Sequence, residues 1–290
     1  MDNFHCCCTQ PQYIKYDIKH NPQPLELTKT LSDTIERLLW YVPNIQSKQS
    51  YTNEFIQNPL YDEFTFRYLL HQIGLSRRDV MVLGPRDRIP ENYTNFFEEK
   101  ICLHCEKMIF TRSTQDGVPL TKTMSLLRHV RNSIAHGYFT VVDDMFIGFD
   151  ENPQGSAKTA IIKLNPITLN NAIKSIQSEL YLEKIYAYAF LKLGYKIQPA
   201  EVADLIIEKN GKKYLVEVRY IKDRFVHPEH IEKQIAHFRK LPAAFTDYTP
   251  ILILDKNTLT KKAKEVAEQA NLKVLDVGLI KELLNGNDIL

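Results

Sequence analysis

The sequence predicts two domains of different class. An all-α helical bundle with a small β-hairpin appendage spans residues 1–180, and an α/β domain with a mixed sheet spans residues 181–290. Three observations carry this. Apolar residues recur at 3.6-residue spacing through most of Leu27 to Leu180, as amphipathic helices require. From about Tyr181 short strands and helices alternate, the rhythm of a sheet flanked by helices. In that second half Asn210-Gly211 joins two alternating runs, the strongest short-range signal for a β-hairpin.

In chain order, Leu27-Leu31-Ile35-Leu38-Leu39-Val42 gives a helix stopped by Pro43. Phe64-Tyr68-Leu69-Ile73 gives another, ended by Gly74, and Asn95 to Phe110 reads as a third. Met124-Leu127-Val130-Ile134 forms a fourth, with Gly137 suited to the left-handed cap. Phe139 to Phe149 is strand-like, Asp143-Asp144 marks its turn, Ala160 to Leu164 adds a strand, and Leu169 to Leu180 returns to helix. The second domain reads as a helix (Tyr181 to Leu193), strands (Tyr195 to Gln198, Ala203 to Glu208, Lys213 to Tyr220) and a helix (Pro228 to Leu241). A buried strand (Ile251 to Leu254), a helix (Leu259 to Ala270), a strand (Lys273 to Val277) and a short helix follow.

With 44% hydrophobic and 25% charged residues, the composition excludes a disordered chain or a disulfide scaffold. No apolar run reaches the ~18 residues of a membrane span, and Met1 to Gln10 lacks a signal-peptide core, so a soluble cytoplasmic protein with no membrane partner is expected. Net charge is +2, so any nucleic-acid role must come from local sites. The five cysteines, Cys6 to Cys8 with Cys102 and Cys105, are expected as free thiols. Cys102-Leu-His-Cys105 has zinc-ligand spacing, but the two thiols equally suit a buried helix face.

The segment Leu126-Leu-Arg-His-Val-Arg-Asn-Ser-Ile-Ala-His-Gly137 brings a guanidinium, an amide and an imidazole together. Asn132 and His136 share a helical face, and Arg131 can reach the same point. RNA cleavage without metal needs proton transfer at the 2′- and 5′-oxygens and a fixed cation for the phosphoryl charge; histidine suits the former and arginine the latter. Equally, such an Arg and His can be solvent-facing or cap the helix. The stretch Leu127 to Phe139 resembles the Arg-x4-6-His signature of the HEPN superfamily, in which a polar residue, often Asn, follows the Arg. The resemblance, over about Leu27 to Leu180, implies a dimerising helical bundle and a metal-independent endoribonuclease needing no cofactor. Arg131, Asn132 and His136 become its catalytic residues, RNA its substrate, and antiviral defence or a toxin system its setting. The superfamily also includes non-catalytic binding members.

In the hairpin, a turn at Asn210-Gly211 pairs residues whose numbers sum to 421, so Asp204 faces Glu217 with Cβ atoms about 5 Å apart. Facing carboxylates suggest a divalent cation; alternatively Arg219, on the same face, neutralises the pair. The segment Gly194 to Arg219 resembles the core of Mrr-type PD-(D/E)xK domains, which are restriction-endonuclease-like, and the similarity extends over Tyr181 to about Leu284. It implies Asp204 and Glu217 as metal ligands, with Mg²⁺ as the cofactor and DNA as a further partner. Arg219 stands where the family has lysine, and Gln234 where some members have glutamine. Arginine keeps the charge but does not readily release a proton. The expected function is thus a homodimeric endoribonuclease with a nucleic-acid-binding C-terminal domain. The alternatives are a Mg²⁺-dependent DNA endonuclease with the bundle as dimerisation scaffold, and a non-catalytic nucleic-acid-binding regulator.

Overall fold

The computed structural model of the protein describes residues 13–14, 27–40, 53–91, 93, 101–102, 105–151, 157–179, 181–198, 202–219, 221, 225–254 and 259–290. The chain divides into two compact units, Met1–Glu179 and Leu180–Leu290. Among the described residues no helix is long and apolar enough to cross a membrane.

The first unit is not an all-α bundle with an appendage. Its described helices are α1 (Lys29–Trp40), α2 (Glu54–Gln57), α3 (Asp62–Gln72), α4 (Lys122–Ala135) and α5 (Pro166–Glu179). Its strands are β1 (Tyr13–Ile14), β2 (Val80–Leu83), β3 (Ile101–Cys102), β4 (Lys107–Thr111), β5 (Thr114–Gln115), β6 (Val118–Pro119), β7 (Phe139–Val142), β8 (Met145–Glu151) and β9 (Lys158–Leu164). Five of these form one sheet in the order β2-β4-β9-β8-β7, with β2 and β4 parallel and the other pairs antiparallel. Helix α4 packs on β4, β8 and β9, while α1 and α3 both touch α4 and α5.

The expected helix from Asn95 to Phe110 is therefore corrected: its C-terminal part is strand β4, and 94–100 and 103–104 lie outside the described residues. Every residue of β4 is buried, because neighbours cover both faces, and a strand buried on both faces loses its alternation. Met108 and Phe110 point to the helices, with Phe110 edge-on to Phe66 at 6.0 Å. Ile109 joins Ile89, Ile147, Phe149 and Ile161 on the other face. Cys102 and Cys105 are outside any disulfide and buried, but not on a helix. Lys163, 1% exposed, donates from Nζ to the carbonyls of Cys102 and of Cys105, the latter at 2.7 Å.

The turn at Asp143-Asp144 is as expected: both residues have positive φ, +49° and +62°, and Val142 pairs with Met145. A charged cluster fixes where α4 begins. Asp62 accepts from the Lys122 backbone N–H at 2.6 Å and from Arg112 at 3.0 Å. Glu63 meets Lys122, Arg67 and Arg77; burial pushes its carboxyl up, but Lys122 and Arg67 hold it at about 2.

The second unit carries α6 (Leu182–Lys192), α7 (Pro228–Arg239), α8 (Lys261–Gln269) and α9 (Val277–Asn285). Its sheet runs β10-β11-β12-β13-β14, from Lys196–Gln198, Leu205–Lys209, Lys212–Arg219, Thr249–Leu254 and Lys273–Leu275. The first three strands are antiparallel; β12, β13 and β14 are parallel. Asn210 and Gly211 have φ of +53° and +78°, and the ladder runs from Lys209↔Lys212 to Leu205↔Val216, as the sum of 421 requires. Ile231, Ala263 and Ala267 from α7 and α8 pack on Leu252 and Leu254 of β13. Near the chain end, Asp288 accepts from Tyr195 and Lys209, both at 2.6 Å.

Candidate functional site

Helix α4 starts at Thr121, whose Oγ1 accepts from Met124 N–H at 3.1 Å and donates to the Ile56 carbonyl at 2.5 Å. It ends in a left-handed cap: Gly137 has φ +71°, and Tyr138 N–H returns to the Ser133 carbonyl at 2.8 Å. Between its ends the helix lies close on β8. A Cβ at Gly148 would stand 2.5 Å from the Phe146 ring and 3.0 Å from Ser133 Cβ, so a larger residue would displace the ring and press on α4.

Of the three expected residues, two are bonded to each other. Arg131 Nη1 donates to Asn132 Oδ1 at 3.2 Å, and Arg131 Nε is buried with no hydrogen-bond partner among the described residues. Asn132 Nδ2 donates to Asp150 Oδ2 at 3.1 Å. His136 is joined to Asn132 through its backbone N–H at 2.9 Å, while its exposed imidazole lies 6.3 Å from the Tyr138 ring. The side chains thus sit on the last turn of α4 and its C-cap, His136, with the guanidinium held and the histidine exposed.

Sequence reasoning missed two members of this cluster. His129, 3% exposed, bonds through Nδ1 to Asp150 Oδ2 and through Nε2 to the Thr111 carbonyl, both at 2.7 Å. Asp150, 4% exposed, is the acceptor for both His129 and Asn132. A usable signal existed for each: His129 lies one helical turn before Asn132, and Asp150 follows Phe146 and Gly148 at period two. A carboxylate at such an inward position needs a buried partner.

In the second unit the expected acids and Arg219 do come together. Pairing stops at Leu205, one residue short of Asp204, whose Oδ2 instead accepts from Val218 N–H at 2.7 Å and from Arg219 Nη1 at 3.1 Å. Arg219 Nη2 forms an ion pair with Glu217 Oε2, close but without hydrogen-bond alignment. His237 of α7, also missed, approaches Glu217 Oε1 at 2.9 Å through Nε2. Gln234, one turn earlier on α7, is half-buried and makes no side-chain hydrogen bond among the described residues. Burial raises the carboxyl of Glu217 above its ordinary range; Arg219 opposes this, Asp204 adds to it, and His237 again lowers it.

Asp204 and Glu217 are the two residues that would hold a divalent ion in this unit, and Glu217 Oε2 is buried without a hydrogen-bond partner among the described residues. The guanidinium stands against an oxygen of each carboxylate, where a divalent ion would have to bind both. Among the described residues there is no group of three or more His, Cys, Asp and Glu side chains arranged to hold a metal; Cys6 to Cys8 and His104 lie outside them.

Comparison with solved structures gives distant likenesses. A protein of unknown function, AF1548, is similar at 13% identity and a TM-score of 0.27, over 33% of this chain and 64% of that one. A repair endonuclease from Pyrococcus abyssi is similar at 13% identity and 0.23, over 48% and 63%, and EndoMS in apo form at 11% and 0.22, over 48% and 61%. The chain spans less than two thirds of the length of each. Among curated proteins there is no match. The family description HEPN pEK499 p136 matches residues 26–186, more than half of the 290, a stretch that holds α4 and its Arg131-Asn132-x3-His136 segment. With that match, the chain belongs to the HEPN pEK499 p136 family.

Proposed function

We propose that the protein is a metal-independent endoribonuclease acting through Arg131, Asn132 and His136. One observation carries the reading: the Arg131 guanidinium is held by the Asn132 amide at 3.2 Å, and an exposed histidine, His136, caps the same helix five residues on. A guanidinium, always charged and rich in donors, suits the phosphoryl oxygens of a bound RNA. The neighbouring 2′-oxygen forms its bond to phosphorus as the bond to the 5′-oxygen breaks. The 2′-hydroxyl proton leaves to a base, and another reaches the departing oxygen. His136 is suited to either transfer. A two-fold homodimer would supply a second His136 for the other end, and isologous pairing is the commonest way to do so.

The test is to incubate the purified full chain with RNA and with DNA, each with EDTA or Mg²⁺. RNA cleavage is expected to persist in EDTA and to leave 2′,3′-cyclic phosphate and 5′-hydroxyl ends. RNA left intact under both conditions would remove the reading. Sedimentation of the same preparation at micromolar concentration should give a dimer; a fully active monomer contradicts the two-fold site. A role in antiviral defence or a toxin system rests on the superfamily resemblance.

For the second unit we infer nucleic-acid binding, which rests on the PD-(D/E)xK resemblance, without cleavage, which is favoured by Arg219 lying against both Asp204 and Glu217. Calorimetric titration of the full chain with Mn²⁺ is expected to show no saturable binding. Binding that Asp204→Asn abolishes would instead favour the Mg²⁺-dependent DNA endonuclease.

A further inference from the structure

We propose that Asp150 is a positioning residue for Arg131: its carboxylate, clamped by the buried His129 imidazole, orients the Asn132 amide, and that amide holds the guanidinium. The inference rests on the ribonuclease reading for its catalytic meaning, but not for its geometry.

Hydrogen-bond bookkeeping gives each link a direction. The Thr111 carbonyl only accepts, so His129 Nε2 carries a hydrogen. Nδ1 of the same ring faces Asp150 Oδ2 at 2.7 Å, so one further proton lies between imidazole and carboxylate. His129 is thereby fixed at both nitrogens, across β4 and β8. Asp150 Oδ2 also accepts from Asn132 at 3.1 Å. With Nδ2 turned to Asp150, Asn132 Oδ1 must point the other way, and there it accepts from Arg131 Nη1 at 3.2 Å. A flipped amide would set oxygen against oxygen at one end and NH₂ against guanidinium at the other.

The chain Thr111–His129–Asp150–Asn132–Arg131 thus runs from the interior of the sheet to Arg131 Nη1, and Nε of the same guanidinium is buried with no partner among the described residues. Tertiary packing makes the chain short. Gly148, two residues before Asp150, admits α4 close enough to β8 for both helical side chains to reach the carboxylate. A buried His–Asp pair could serve only to pin helix to sheet. It would not then need to bond the amide that carries the arginine.

The test follows the Arg131 Nε–Hε group by ¹⁵N relaxation in the full chain, beside RNA-cleavage kinetics, in wild type, Asp150→Asn and Asn132→Leu. Expected in both variants is an Nε–Hε as mobile as that of a surface arginine. A kcat lower by ~10- to 100-fold is also expected, as for a slightly misplaced catalytic group, with KM changed less than about threefold. A purely pinning role would lower thermal stability in Asp150→Asn and leave Arg131 equally ordered in both, and that result overturns the proposal. If Asp150→Asn fails to fold, Asp150→Ser decides: its hydroxyl keeps a polar group at the site but is too short to reach the Asn132 amide, so an Arg131 Nε–Hε as ordered there as in wild type likewise overturns the proposal. If wild type cuts no RNA, the ribonuclease reading falls, while the relaxation comparison still decides whether Asp150 orders Arg131.

Discussion

Arg131→Ala and His136→Ala are each expected to lower RNA cleavage by ~10²-fold or more, about 2.7 kcal/mol of transition-state stabilisation. The two losses have different physical origins. Without the guanidinium, the charge that grows on the phosphoryl oxygens meets no fixed cation, and water cannot replace one that was oriented beforehand. Without the imidazole, proton transfer falls to solvent, whose acidity is poorly matched to the task near pH 7. Arg131→Lys should recover part of the rate, since lysine keeps the charge but loses the planar fork. Arg128→Ala is the control: this arginine lies three residues earlier, with Nη1 directed to the Thr114 carbonyl at 3.3 Å, and its loss should leave the rate within about twofold. Because His136 is exposed, its substitution should hardly change stability, which separates lost chemistry from lost fold. Wild-type rates in both alanine variants would sink the assignment.

The largest stability effect is expected at Phe110. The ring is fully buried in the second strand of the five-stranded sheet, 6.0 Å from Phe66 and 6.0 Å from the His129 imidazole. Truncation to alanine removes a large apolar surface and opens a cavity that β2 and β9, paired to either side, cannot close in on. The cost should be ~3–5 kcal/mol. The single tryptophan, Trp40, lies in α1, so its fluorescence during urea unfolding reports on the first unit. A cost under ~1 kcal/mol would mean that Phe110 is not a core residue, and the central position of β4 would be wrong. Since Phe110 backs His129, the same variant should also loosen the link from Asp150 to Arg131.

What the sequence by itself determined is local. The C-terminal limit of α4 follows from a left-handed Gly137, and both hairpins follow from two-residue turns at Asp143-Asp144 and Asn210-Gly211. The ladder that grew from the second turn carried Glu217 and Arg219 to one place because strand alternation propagates register residue by residue. Such features depend on neighbours within one helical turn or one hairpin, and the spacing of residue types records them directly.

Tertiary structure decided the rest. Strand β4 read as helix because burial on both faces erased its alternation, and only its partners β2 and β9 make it a strand. Asp204 lies one residue beyond the ladder, where its carboxylate accepts from the Val218 N–H and Arg219 while still facing Glu217. His237, not Gln234, reached Glu217 because the docking of α7, through Ile231 on Leu252 and Leu254, selects which turn of the helix overlies the carboxylate. Asp150 met His129 and Asn132 from 21 and 18 residues away because Gly148 lets α4 settle on β8. A buried polar group takes whatever partner packing brings within about 3 Å, and separation along the chain does not record that distance.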